Sequence, residues 1–151
     1  MRLRILAIAM LSCASLLFAG AAVADTRPLP GGETRLAGSD RYATATAISR
    51  ASFTPPTQAV FIASGLDFPD ALSSGPAAAR LDAPVILVGR GALNDHARAE
   101  LARLQPETIY VIGGTGAVSS AMDSELGQFG RVVRLQGPNR YATAAAVSSQ
   151  H

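Results

Sequence analysis

Residues 109–135 read IYVIGGTGAVSSAMDSELGQFGRVVRL, and the fold assignment depends on their pattern. The first four and the last four residues are short, mostly β-branched runs, which are typical of strands. Between them lie a glycine-rich turn and a helical segment that begins at Ser120 with a capping-box-like pattern. We expect this helix to bury Met122, Leu126 and Phe129. Strand, helix and strand in this order predict parallel pairing with a right-handed crossover.

Two further apolar runs precede this stretch, at residues 59–63 and 84–88. Three of the four runs are apolar nearly throughout, which indicates strands that are covered on both faces. Asn94 is placed to cap a helix between the second and third runs. Alternating strands and helices predict a small three-layer α/β domain with a parallel sheet.

The first 24 residues have the features of a secretory signal peptide. Arg2 and Arg4 form a basic start, an apolar run follows, and the letters AVA precede Asp25. The alternatives are an uncleaved anchor and lipidation at Cys13, the only cysteine. Of the 13 basic residues, two would leave with the signal peptide, so 11 would remain against 11 acidic ones. We therefore expect neither nucleic-acid binding nor membrane attachment of the processed chain.

An internal repeat is the most informative feature. Residues 35–49 read RLAGSDRYATATAIS and residues 134–148 read RLQGPNRYATAAAVS, with ten of fifteen positions identical at an offset of 99. Such self-similarity is typical of arrays whose units stack on one another. We expect a linker at 25–34, one complete unit at 35–133, and the truncated start of a second unit at 134–151.

Each copy predicts a helix that begins after a capping residue, Asp40 or Asn139. The first of these helices is built of alanines and threonines, which would allow its backbone to approach a sheet closely. We expect three of its side chains to face inward, namely Tyr42, Ala45 and Ile48.

Arg41 and Arg140 occupy the first helical position, where a cation opposes the helix dipole by about 0.3–1 kcal/mol. This repeated placement predicts a compensating partner. The partner is either a carboxylate of the same domain, Asp67 or Asp70, or a neighbouring repeat or an anionic ligand. Arg35 and Arg134, at strand ends, are either simple surface charges or further contacts.

Four motifs follow one another along the chain, RLAGSDRYATA at 35–45, ASGLDFPDALS at 63–73, APVIL at 83–87 and YVIGGTGAVS at 110–119. In this order they resemble the cell wall-binding repeat 2 family. The resemblance covers nearly all of the chain after the signal peptide.

The resemblance implies a secreted module of Gram-positive bacteria that attaches non-covalently to anionic cell-wall polymers. It also implies Rossmann-like α/β units that pack in a three-fold arrangement, often within one chain. This sequence departs from that pattern because it holds one complete repeat and no accompanying amidase or protease domain. We therefore expect any such assembly, including a homotrimer, to form between chains.

Catalytic chemistry has little support in the sequence. His96 lies with Glu100 and Arg103 on what we interpret as a solvated helix face, and His151 is the only other histidine. We expect no enzyme, no metal and no cofactor. The alternatives are a carbohydrate or peptidoglycan hydrolase that uses Asp67 and Asp70, or an inactive fragment of a longer array.

Asp67 is also expected to cap a helix with proline at the first helical position, and Gly75-Pro76 should kink or break that helix. The glycines after residue 112 predict either a tight turn or backbone amides that contact a phosphate or a sugar hydroxyl. Ligands of open α/β sheets gather at the carboxyl ends of strands. The candidate contacts for a polymer or another repeat are Arg41, Ser64, Gly65, Asp70, Gly113, Gly114 and Arg140.

Overall fold

A computed structural model of the chain describes residues 25–28, 34–66 and 68–149. The predicted signal peptide and Asp67 lie outside this part, and for Asp70 the description covers the backbone alone. The secondary structure elements, in chain order, are β1 (Asp25–Pro28), β2 (Thr34–Ala37), α1 (Arg41–Ser52), β3 (Ala59–Ser64), α2 (Phe68–Arg80), β4 (Val85–Val88), α3 (Asp95–Leu104), β5 (Thr108–Ile112), α4 (Ser120–Leu126), β6 (Arg131–Leu135) and α5 (Arg140–Ser148).

Four strands form a parallel sheet in the order β4-β3-β5-β6. Phe61 in β3 is the register partner of both Val85 in β4 and Tyr110 in β5, and Ile112 pairs with Leu135 in β6. The chain runs from β3 outward to β4 and then returns past β3 to β5. The direction of winding therefore changes between β3 and β5, and the predicted parallel α/β architecture is confirmed.

Helices cover both faces of this sheet, as the apolar strands predict. On one face, α3 and α4 bury a cluster that includes Leu101, Leu104, Met122 and Leu126, with Phe129 packed against it. On the other face the cluster is richer in alanine, and it includes Val147 of α5. The small side chains of α2 at this face let the helix lie close to the strands.

The two copies of the repeated segment occupy different places in the fold. The strand of the second copy, β6, is an edge strand of the main sheet, and α5 packs against α2. The strand of the first copy, β2, lies outside that sheet and pairs antiparallel with β1. Thus a strand forms within the predicted linker at 25–34, and the predicted second unit begins inside the edge strand of the first.

The inward face of α1 differs from the prediction. Ala43, Thr46, Ala47 and Ser49 are buried, whereas Ile48 is 46% exposed. Helix α1 packs against β4 and α3, and the small side chains on its buried face allow this close approach. The expectation that Ile48 faces inward was therefore wrong.

Two helix boundaries also differ from expectation. Helix α2 continues through Pro76 to Arg80, so Gly75-Pro76 does not break it. Proline removes one backbone donor, but α2 is held by packing against β3, β4 and α5. Helix α4 has Ser119 rather than Ser120 in the capping position, and Ser119 makes no side-chain capping bond.

Candidate functional site

The repeated motif builds the same turn twice. Asp40 Oδ1 accepts a hydrogen bond from Ala43 N at 2.8 Å, and Asn139 Oδ1 accepts one from Ala142 N at 2.9 Å. The predicted caps are therefore confirmed. In each copy a threonine hydroxyl also accepts a bond from the glycine N–H before the helix, at 3.0 Å.

This turn also explains the glycine of the motif. A Cβ atom added to Gly38 would lie 2.5 Å from Ala43 Cβ, and one added to Gly137 would collide with Ala142 in the same way. Only a glycine before the turn and a small residue in the first helical turn fit together. The glycine, the capping residue and the threonine of the repeated motif therefore each have a local structural role.

In the first copy, the Arg-Tyr pair of the motif holds the end of β3. Arg41 Nη1 donates a hydrogen bond of 2.6 Å to the carbonyl of Gly65. The half-buried Tyr42 ring lies against the same residue, because a Cβ on Gly65 would lie 2.6 Å from Tyr42 Cε1. The structure thus brings together two predicted site residues, Arg41 and Gly65, through a carbonyl. A pairing of Arg41 with Asp67 or Asp70 falls outside the described side chains.

In the second copy, the same pair faces solvent. Arg140 is exposed, and Tyr141 is 79% exposed. Within residues 34–66 and 68–149, neither side chain has a recorded hydrogen bond or ion pair. Leu72, near the start of the adjacent α2, and Leu66, in the loop after β3, are exposed as well. The carboxyl end of the sheet therefore presents an aromatic ring and a cation beside exposed aliphatic groups.

The glycine-rich loop after β5 is bound by a side chain of the same domain, that of Arg134. Arg134 donates to Gly113 O at 2.9 Å and forms an ion pair with Asp123, with Nη2 2.5 Å from Oδ1. The φ angle of Gly113 is 98°, a value that favours glycine. Arg134 is thus mostly buried and engaged, whereas its counterpart Arg35 is exposed.

Ser64 lies at the same edge but is buried, and its Oγ accepts a hydrogen bond from Leu66 N at 3.2 Å. This bond shapes the loop that carries Gly65. Because the winding direction changes between β3 and β5, the loops at Gly65 and Gly113 flank the point where open α/β sheets bind ligands.

The prediction that Glu100 lies on a solvated helix face was wrong. Its side chain is 0% exposed, and it accepts hydrogen bonds from Ser49 Oγ at 2.7 Å, Arg50 Nε at 2.9 Å and Arg103 Nη2 at 2.6 Å. Burial alone would raise the pKa of Glu100, but the bonds from Arg103, Ser49 and Arg50 together hold that pKa below its ordinary value. No local pattern could reveal this cluster, because α1 and α3 are some 50 residues apart in the chain.

The described residues contain no group of three or more His, Cys, Asp or Glu side chains that could hold a metal ion. Over the same residues, no helix has the length and apolar character needed to cross a membrane. The hydrolase alternative depends on Asp67 and Asp70, whose side chains the structure does not describe.

Comparison with known proteins assigns the chain to a family. The family model described as cell wall binding domain 2 (CWB2) matches residues 35–123. The chain is 34% identical over 115 residues to N-acetylmuramoyl-L-alanine amidase LytC of Bacillus subtilis, covering 76% of this chain and 23% of LytC. It is 32% identical over 116 residues to the Amidase enhancer of the same species, covering 77% and 16%.

Solved structures agree with the sequence comparisons. Cwp8 from Clostridium difficile superimposes with a TM-score of 0.71 at 27% identity, over 75% of this chain and 20% of Cwp8. Cwp6 from the same species gives 0.69 at 25% identity, over 85% and 22%. The chain therefore spans less than a quarter of each of these relatives. The sequence match and the shared fold together show that this chain belongs to the cell wall binding domain 2 family.

Proposed function

We propose that the chain is a secreted, non-catalytic module that attaches to anionic polymers of a Gram-positive cell wall. Membership of a cell wall binding family supports this function. The observation that carries the proposed contact is the difference between the two Arg-Tyr pairs. Arg41 and Tyr42 hold Gly65, whereas Arg140 and Tyr141 are exposed.

Arg140 is suited to an anionic polymer because a guanidinium group can donate two parallel hydrogen bonds to a phosphate or a carboxylate. The neighbouring Tyr141 ring offers a flat apolar face for a sugar or a polyol chain. Among the other candidates, Arg41, Ser64 and Gly65 shape this edge of the sheet, and Gly113 and Gly114 form the adjacent loop. We assign direct contact to Arg140 first and supporting positions to the others, including Asp70 near the start of α2.

The test is retention of the purified, processed chain on Gram-positive cell walls. We expect the protein to co-sediment with walls at low salt and to be released by high salt or by prior removal of anionic polymers, because salt screens charge contacts. Arg140→Ala should weaken retention by about tenfold, the loss expected for one charge-assisted contact.

Arg131→Ala is the matched control, because Arg131 is exposed at the amino end of β6, opposite the carboxyl edge where Arg140 lies, and its loss changes the net charge equally. Equal retention of the Arg140 and Arg131 variants would contradict the assignment of the contact. Turnover of muropeptides that Asp70→Asn abolishes would instead support the hydrolase alternative and contradict a non-catalytic role.

We also propose that several chains associate, since the second copy of the repeat leaves one helix face uncovered. In α1 the buried face lies against β4 and α3, but Ala145 and Ser148 of α5, which correspond to the buried Thr46 and Ser49, are exposed. A homotrimer formed between chains is the assembly that the family resemblance favours, and other repeats of the family are alternative partners.

A further inference from the structure

We propose that chains of this protein associate head to tail, with Ile48 on α1 of one chain seated in a groove between α2 and α5 of the next chain. This contact rests on the association between chains proposed above, and it assigns both sides of that association. It uses neither Arg140 nor Tyr141, so the contact with the wall polymer can hold or fail independently.

The helix that the repeat encodes buries a different face in each of its two copies. Positions 48 and 147 correspond at the offset of 99 residues. Val147 is fully buried in the same cluster as Ala77 of α2, whereas Ile48 is 46% exposed. The second copy thus shows that an aliphatic side chain at this position packs against α2. Among the described elements, α1 packs chiefly against β2, β4 and α3, so Ile48 has no equivalent of that neighbour.

The other face of the helix shows the reverse pattern. Thr46 and Ser49 of α1 are buried, whereas the corresponding Ala145 and Ser148 of α5 are exposed. Each copy therefore has the neighbour that the other copy lacks. If α5 of one chain lies beside α1 of the next chain, the two uncovered faces cover each other.

The exposed face of α5 forms one wall of a groove, and α2 forms the other wall. The groove has a volume of about 410 Å³, more than one isoleucine side chain needs. Small side chains on its walls allow a second helix to approach closely, and burial of the exposed part of Ile48 there is favourable. The lining includes Pro76, Ala77, Arg80, Ala144, Ala145 and Ser148.

The contact joins two different surfaces, so it is heterologous. Such contacts form a closed ring when the rotation between chains returns to its start, and an open filament otherwise. Three chains related by a rotation of 120° would close, and every α1 and every α5 would then be covered. A contact between two α5 faces would instead leave Ile48 exposed in each chain, so we favour the head-to-tail arrangement.

The experiment is sedimentation equilibrium of the processed chain with Ile48→Arg, with Ala145→Arg, and with an equimolar mixture of the two variants. Both positions are exposed, so each variant should keep its fold, which circular dichroism checks. We expect each variant alone to fall from three times the monomer mass to the monomer mass. In the first variant a cation replaces the apolar side chain and is repelled by Arg80, and in the second the groove is filled.

The mixture should form a 1:1 complex with twice the monomer mass. Ile48 of the Ala145→Arg chain can enter the intact groove of the Ile48→Arg chain, while two arginines repel each other at the remaining contact. A contact between identical faces would not produce this recovery, because the same face would be blocked in every Ala145→Arg chain.

The control variants are Leu66→Arg and Ala121→Arg, which introduce the same charge at exposed positions outside the groove. Both should sediment like the parent. Association of either test variant at the parent's mass, or a mixture that stays monomeric, would overturn the assigned contact. A parent that is monomeric at every concentration would overturn it together with the association on which it rests. Retention of that monomer on cell walls would still support the polymer contact, so the two failures are distinguishable.

Discussion

At the scale of single residues, the duplicated motif provides a comparison within one molecule. Gly38 and Gly137 are held in the same turn by the same kinds of contact. The Arg-Tyr pair that follows has a partner in the first copy and is exposed in the second. Identical residues therefore contribute differently to stability in the two copies, because the surrounding fold places different groups next to them.

The two tyrosines should differ in their contribution to stability. Tyr42→Ala removes the ring that packs on Gly65 and should lower the free energy of unfolding by about 2–3 kcal/mol. Tyr141→Ala removes an exposed ring and should change it by less than about 0.5 kcal/mol. Urea denaturation of both variants measures this difference. Similar losses in the two variants would show that Tyr141 is packed in solution, which would contradict its assignment as an exposed contact for the polymer.

At the scale of secondary structure elements, a buried ionic cluster joins α1 to α3. Glu100 lies on α3, and it receives hydrogen bonds from Ser49 and Arg50 on α1. Arg103 completes the cluster and also donates to Phe53 O at the end of α1. The helix that begins with the repeated motif is thus fixed at both ends, by Gly65 at its start and by this cluster at its end.

Removal of this charge should have a measurable dependence on pH. Glu100→Gln should lower the free energy of unfolding by about 3 kcal/mol at neutral pH, because Arg103 and Arg50 lose their buried counter-charge. The folded pKa of Glu100 lies below the ordinary value of 4.5. Its stabilising contribution is therefore complete above that value and is lost as pH falls through the folded pKa.

The measurement is urea denaturation of parent and variant at pH 7 and near pH 3.5. The difference between them should shrink at the lower pH, because the unfolded parent then binds a proton at Glu100 more readily than the folded parent, in which the pKa of Glu100 is lowered. Glu107→Gln is the matched control, since Glu107 is exposed. A difference that stays constant over this range would show that the charge of Glu100 does not stabilise the fold.

The same elements show how far the sequence could predict the structure. Local signals were sufficient for the parallel strands and for the capping residues Asp40, Asn94 and Asn139, because apolar runs and caps act on neighbouring residues. The burial of Glu100 and the exposure of Ile48 depend on which distant elements meet, and single-sequence periodicity does not contain that information. The exposure of the second Arg-Tyr pair could not be predicted for the same reason, because both copies have the same residues.

At the scale of the whole molecule, the proposed association between chains has a direct test. Sedimentation equilibrium of the processed chain should give three times the monomer mass, with the exposed face of α5 at the contacts. A folded monomer at all concentrations would contradict association. An unfolded or aggregating chain would instead support the alternative that this sequence is a fragment of a longer array.

Strand β6 has a consequence for how such domains can be recombined. It carries Arg134, whose guanidinium joins the last strand of the sheet to Asp123 and to the loop at Gly113. In the sequence, Arg134 is the first residue of the second repeat copy. A cut before Arg134 would remove the last two residues of the final strand, β6, and would leave Asp123 without its counter-ion. A unit that is joined to a different neighbour at this boundary therefore needs that neighbour to supply a suitable arginine. This requirement limits the order in which units can follow one another.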